Sequence, residues 1–220
     1  MGGLPERHPA VGTRFFDDMA DALYRYGYAI VEDALPAGLV DSLFIHFKEL
    51  GVDEFRQAGI SKHHDYHVNG FVRSDAIAWL DHGSAASSDY LGWMDRLRLE
   101  LNRRLFLGLF DFECHYAWYP ERAFYRKHYD GFRGSTARII SSVLYLNPAW
   151  VPEDGGELVL YSPRNEQVVL EKIAPRYGKL VLFLSREFPH EVLPVNKPRY
   201  SIAGWYRVNQ SRPGAVDPSA

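Results

Sequence analysis

Apolar residues recur at helical spacing in the first half of the chain and at strand spacing in the second. Phe16, Met19 and Leu23 share one helical face that Gly27 ends, and Leu39, Leu43, Phe47 and Leu50 repeat the pattern up to Gly51. A longer helix is expected after the Ser/Ala-rich stretch 84–88, with Leu91, Met94, Leu97, Leu101 and Leu105 on one stripe. Between these helices, YAIVED at 28–33 reads as a strand and 57–75 as a polar segment.

From Glu113 the texture changes. ECHYAWY, FYRKHYD, RIISSVLYLN, GELVLYS, EQVVLEKI, KLVLFLS, HEVLPV and RYSIAGWYRV follow one another, separated by Gly, Pro, Asn or Asp turns. That succession predicts an antiparallel sandwich or barrel. The expected organisation is one structural domain: a flexible N-terminus over 1–12, a helical support region over 13–112 with a loop at about 57–81, a β core over 113–208 and a flexible tail over 209–220.

Composition narrows the function classes. At 220 residues with 46% hydrophobic and 24% charged positions, the chain is long enough to bury a core. A net charge of -3 gives no general attraction to nucleic acid or acidic membranes. Asp95, Arg96, Arg98, Glu100, Arg103 and Arg104 on the long helix are mixed in sign, as on a solvated face. One cysteine, Cys114, excludes an internal disulfide framework and a cysteine zinc cluster. The first residues lack a signal-peptide pattern, and the opening Met-Gly has Glu6 where a myristoylation signal has Ser or Thr. A cytoplasmic, reducing setting is the expectation.

Candidate chemistry centres on His-x-Asp, a pattern of which roughly one chance occurrence is expected in such a composition. Two occur: His63-His64-Asp65, read as an exposed polar turn, and His128-Tyr129-Asp130 at the end of a strand-like run. Positions i and i+2 of a strand face the same side, so His128 and Asp130 can converge on one ion. His190, at the start of another strand, supplies a third ligand. Two imidazoles and a carboxylate on one face of an octahedron suit Fe(II) and leave three positions open. Glu191 is the one obvious base for a zinc hydrolase at these ligands, and alternation turns it away from His190.

Alternation also puts Arg199, Ser201, Ala203 and Trp205 on one strand face. An inward guanidinium there needs an anion, which a structural salt bridge or a bound carboxylate would provide. In RIISSVLYLN, Ser141, Val143 and Tyr145 share one face, and Arg138, Ile140, Ser142 and Leu144 the other. The Tyr145 phenol is either core packing or a second hydrogen bond to the same anion.

WYPERAFYRKHYD, RIISSVLYLNPAW, DGGELVLY and FPHEVLPVNKPRYSIAGWYR together resemble the 2-oxoglutarate-dependent oxygenases, specifically prolyl hydroxylases of the hypoxia-sensing type and their bacterial relatives. The resemblance covers about 113–208 and extends loosely back to about 71. It implies a double-stranded β-helix (jelly-roll) core buttressed by N-terminal helices, with His128, Asp130 and His190 as iron ligands. It further implies Arg199 and Tyr145 on 2-oxoglutarate, in a pocket lined by Val143, Leu158 and Val192. Tyr119, Tyr125, Trp205, Trp79 and Arg138 fall on the substrate side, and Asp75 with Arg138 forms an ion pair fastening a mobile loop. The implied reaction consumes O2 and 2-oxoglutarate, hydroxylates a prolyl residue of a protein and releases succinate and CO2, with ascorbate as reductant. Translation elongation factor Tu is the substrate the bacterial relatives suggest. A small-molecule hydroxylase of the same superfamily and a non-catalytic metal or effector sensor are the alternatives.

Overall fold

A computed structural model describes residues 13–58, 72–131, 137–211 and 217. The sequence expectations for 1–12, His63, His64, Asp65 and most of the tail lie outside the described residues.

The helices follow the apolar stripes. Helix α1 (Thr13–Tyr26) buries Phe16, Met19 and Leu23, and Gly27 ends it at φ +79° while donating its N–H to Leu23 O at 2.9 Å. Helix α2 (Ala37–Glu49) buries Val40, Leu43 and Phe47. Helix α3 (Ala85–Leu105) begins inside the Ser/Ala stretch rather than after it, because Ser84 and Ser87 form a reciprocal capping box. Its charges pair along the surface as Asp95–Arg98, Glu100–Arg103, Glu100–Arg104 and Asp17–Arg104. Among the described residues no helix is long and apolar enough to cross a membrane.

The strands are β1 (Tyr28–Val31), β2 (Arg56–Gln57), β3 (Ala76–Trp79), β4 (Leu109–Tyr119), β5 (Tyr125–His128), β6 (Arg138–Tyr145), β7 (Leu158–Ser162), β8 (Asn165–Ile173), β9 (Leu180–Leu184), β10 (His190–Val192) and β11 (Arg199–Val208). They form a seven-stranded sheet in the order β1-β9-β6-β11-β4-β3-β2 and a four-stranded sheet in the order β5-β10-β7-β8. All named pairings are antiparallel, and the two sheets form the expected jelly roll, with helices on its larger sheet.

Two apolar cores result. The outer one joins the three helices to one face of the large sheet through Cys114, Tyr116, Ile140, Leu144, Leu182, Ile202 and Tyr206. The inner one lies on the opposite face and contains Ala117, Tyr119, Tyr145, Leu158, Leu160, Phe183 and Val192.

Part of the expected loop at 57–81 is sheet. Val72 hydrogen-bonds to β5 and Ser74 to the residue before it (Arg126 N–H to Val72 O, 2.9 Å; Ser74 N–H to Phe124 O, 3.1 Å), and Ala76–Trp79 then pairs with β4. One short segment thus ties the edge of the small sheet to the large one, beside the metal-ligand strand.

Candidate metal centre and co-substrate pocket

His128 and His190 face each other across the β5–β10 pairing, with ring centroids 4.3 Å apart. Asp130 follows β5 and turns its carboxylate between them: Oδ1 lies 3.5 Å from His128 Nε2 and Oδ2 lies 3.5 Å from His190 Nε2. One ligand atom from each residue falls within 4.8 Å of the other two.

The protein prepares each ligand. His128 Nδ1 lies 2.7 Å from Arg126 O and His190 Nδ1 lies 3.1 Å from Phe188 O. A carbonyl only accepts, so both Nδ1 atoms carry the proton and both Nε2 lone pairs face the shared centre. Burial chiefly, and then His128, lowers His190 to about 4, which keeps it in the neutral form a metal needs. Burial alone would raise the Asp130 carboxyl; against a protonated His190 or His128, and with Arg138 nearby, it is held well below the usual carboxylate range, so protons entering the cluster settle on an imidazole and Asp130 stays the anion. Ser141 Oγ donates to Asp130 Oδ2 at 2.7 Å and lies 2.9 Å from Ser185 Oγ. Tyr125 stacks on His128 at 3.6 Å, and the Arg73 guanidinium lies 4.4 Å from the Tyr125 ring.

Arg199 is 4% exposed, and among the described residues no carboxylate pairs with it. Its Nη1 donates to Ser201 Oγ at 3.1 Å, while Nε has no partner; the Tyr145 hydroxyl is likewise buried without one. The guanidinium lies 4.8 Å from the Tyr119 ring and 5.0 Å from that of Tyr145. Burial raises Tyr145 to about 12, so its phenol remains a donor. A buried cation and a buried donor, both short of acceptors, fit a bound carboxylate. Val143, Leu158 and Val192 belong to the same inner cluster and supply apolar walls. Gly156 makes room: at φ +75° a Cβ there would lie 2.9 Å from Arg199 Cδ and 2.5 Å from Val195 Cγ1. The residues present therefore fit both Fe(II) and a dicarboxylic co-substrate.

A second cluster lies on the same inner face. Trp205 pairs in register with Ser141, the Arg138 guanidinium lies 3.6 Å from the Trp205 ring, and His115 lies between Trp205 (5.4 Å) and Trp79 (5.2 Å).

Two sequence expectations are corrected here. Asp75 does not pair with Arg138: Arg73 grips it through two hydrogen bonds of 2.8 and 2.6 Å, whereas Arg138 pairs with Glu113 at 2.8 Å. A partner two residues away leaves Asp75 no need of a distant one. Arg138 also leaves the face of Ile140 and Leu144. Tyr206 pairs with Ile140 but Arg207 with Arg138, so Ile139 is an extra residue; Ile139 and Ile140 both pack on the outer core, and Arg138 emerges on the metal side.

Glu191 faces away from the metal ligands' shared centre and accepts a hydrogen bond from the Tyr161 hydroxyl. Arg73 and His115 escaped the sequence reading, and Ser141 and Gly156 entered it without a role, the one on the face of Val143 and Tyr145 and the other within DGGELVLY. Ser141 was the most accessible of them, since alternation already places it beside Val143 and Tyr145.

A profile described as the 2OG-Fe(II) oxygenase superfamily matches residues 114–207. The chain is 31% identical to prolyl hydroxylase EGLN3 of Homo sapiens over 68% of its own length, and spans 62% of that protein. Among solved structures it is similar to a Pseudomonas putida prolyl-4-hydroxylase, at 41% identity and TM-score 0.79, covering 88% of this chain and 99% of that one. It also matches a Trichoplax adhaerens prolyl hydroxylase in complex with a hypoxia inducible factor peptide fragment, at 30% identity and TM-score 0.75, covering 89% and 90%. The two solved structures, matched at 30% identity or more and covered to 90% or more, carry the family, although the chain spans less than two thirds of the curated relative: it belongs to the 2OG-Fe(II) oxygenase superfamily, and within it is similar to the prolyl hydroxylases.

Proposed function

We propose that this enzyme hydroxylates a prolyl residue within a protein, consuming 2-oxoglutarate and O2 and releasing succinate and CO2. The observation that carries the reading is Arg199, a buried cation with no carboxylate partner among the described residues, on the same inner face as the His128–Asp130–His190 cluster. Fe(II) with 2-oxoglutarate, when bound, supplies the oxidising chemistry that inserts one oxygen atom into a C–H bond and converts the co-substrate to succinate.

The chain's own residues bind and orient. His128 and His190 offer fixed Nε2 lone pairs, and Asp130 stays anionic under the Ser141 hydrogen bond. Arg199 and the Tyr145 phenol hold the far carboxylate of 2-oxoglutarate, while Val143, Leu158 and Val192 exclude water around its methylenes. Tyr119, Tyr125, Trp205, Trp79 and Arg138 form the substrate side, where aromatic faces suit a pyrrolidine ring. The Trichoplax relative's peptide complex supports a polypeptide substrate. Elongation factor Tu is the proposed target, ascorbate the proposed reductant and the cytoplasm the proposed compartment.

The test is succinate formation by purified protein with Fe(II), 2-oxoglutarate and ascorbate, with and without a cell extract freed of small molecules. Succinate that rises with extract, together with one protein of the extract gaining an oxygen on proline, is the expected result. Stimulation by a metabolite pool instead would make the enzyme a small-molecule hydroxylase. No succinate under either condition would leave a metal or effector sensor.

A further inference from the structure

We propose that His115 and Trp205 together grip the main chain of the protein substrate next to the target proline; this rests on the protein-hydroxylase reading above. The two side chains share the inner face of neighbouring strands, β4 and β11, with ring centroids 5.4 Å apart. Both are almost wholly buried, His115 at 3% and Trp205 at 8% exposure.

Their polar atoms are complementary. Among the described residues Trp205 Nε1–H is a buried donor without an acceptor. His115 lies 3.1 Å from the Tyr116 carbonyl through Nδ1, and because a carbonyl only accepts, that bond fixes the proton on Nδ1. Nε2 is then an acceptor. The charged groups facing the ring are Arg73, Asp75 and Arg138; burial first, then Arg73 and Arg138 against Asp75, hold the imidazole neutral with a pKa lowered to about 4. Nε2 therefore stays an acceptor well above pH 4.

A donor and an acceptor side by side match one residue of an extended peptide. Such a residue turns its own N–H and C=O to the same side, which is how antiparallel strands exchange paired hydrogen bonds. The target proline has no N–H, so the gripped residue is a neighbour. Register sets the distance: Trp205 lies directly across from Ser141, whose hydroxyl holds Asp130. Adjacent strands are about 4.8 Å apart and an extended residue spans about 3.4 Å, which places the gripped residue within two positions of the proline. The consequence is a sequence rule: one position beside the target must carry an amide N–H and excludes a second proline.

The experiment uses the Fe(II) enzyme, 2-oxoglutarate and a pool of end-blocked decapeptides with one central proline among randomised residues. The best-hydroxylated peptide is then N-methylated singly at each of the two residues on either side of the proline. For the wild type, one methylation is expected to raise KM about tenfold with little change in kcat. In His115→Leu, KM for the unmethylated peptide is already raised and that methylation has no further effect. Trp205→Phe, which keeps an aromatic ring and drops the donor, guards against a variant that fails to fold. It should retain the methylation penalty and lose the penalty of replacing the same residue's carbonyl by the weaker acceptor thiocarbonyl. A peptide hydroxylated equally well with every methylation, or with equal penalties in wild type and His115→Leu, overturns the grip alone. A pool with no hydroxylated member overturns the protein-hydroxylase reading, and the grip falls with it.

Discussion

Replacing Arg199 by methionine separates a ligand-binding arginine from a structural one, because the two roles predict opposite patterns of stability. The side chain is 4% exposed and has no carboxylate partner among the described residues, so without co-substrate it is a buried cation held by Ser201 Oγ and two tyrosine rings. Removing it relieves desolvation and loses those weaker contacts, and the two effects largely offset. With 2-oxoglutarate the balance changes. Stripping one partner from a desolvated charge pair costs about 3–5 kcal/mol, or roughly two to three and a half orders of magnitude in affinity.

Thermal unfolding with manganese(II) as an oxygen-stable metal reads both quantities. At a hundredfold excess over Kd, 2-oxoglutarate stabilises the wild type by about 2.7 kcal/mol. For a domain of this size that raises Tm by roughly 5–11 °C. The same concentration moves Arg199→Met by about 1 °C, while the two proteins melt within a few degrees of each other in its absence. A variant that melts far below wild type without co-substrate, yet shows the full shift with it, would refute the assignment and make Arg199 a structural residue.

Ser141→Ala removes the hydroxyl that holds Asp130 Oδ2 at 2.7 Å; metal affinity, read by titration with manganese(II), should fall about 10–100-fold with the fold intact. Gly156→Ala forces a side chain onto φ +75° and against Val195 and Arg199, so unfolding free energy should drop by about 1–3 kcal/mol and KM for 2-oxoglutarate should rise. His115 titrates near 6.5 unfolded and about 4 folded, so the unfolded chain takes up its proton first and stability is lost as pH falls from 6.5 towards 4. That loss is about 3 kcal/mol, and denaturant melts of His115→Leu should be flatter by that amount across the window; parallel profiles would mean that burial leaves the ring's pKa unshifted.

The metal side of this protein was legible because each of its ligands reports on a short stretch of chain. His128 and Asp130 need only a period of two, and His190 only a strand start; the inner face of β11 follows from the same alternation through Arg199, Ser201 and Trp205. Alternation fails where the strand departs from it. Counting by twos from Tyr145 puts Arg138 beside Ile140 on the helix side, but the extra residue Ile139 reverses the count. Nothing in RIISS marks that bulge, since Arg-Ile-Ile is as good a regular strand as a bulged one. The pairing of Arg138 with Asp75, which the resemblance implied, fails at the same place: the bulge brings Arg138 against Trp205 and within reach of Glu113 on β4. β2 and β3 escaped for a different reason: two and four residues at a sheet edge carry too little periodicity to read, and β3, on which β2 in turn pairs, is held by β4, which lies further along the chain. The proposed substrate side lies where those two failures meet, on β3, β4, β6 and β11 around His115 and Trp205. A chemistry held by ligands on regular strands is thus readable from spacing, while the recognition surface beside it depends on one inserted residue and a short edge strand, and becomes readable only once the strands are paired.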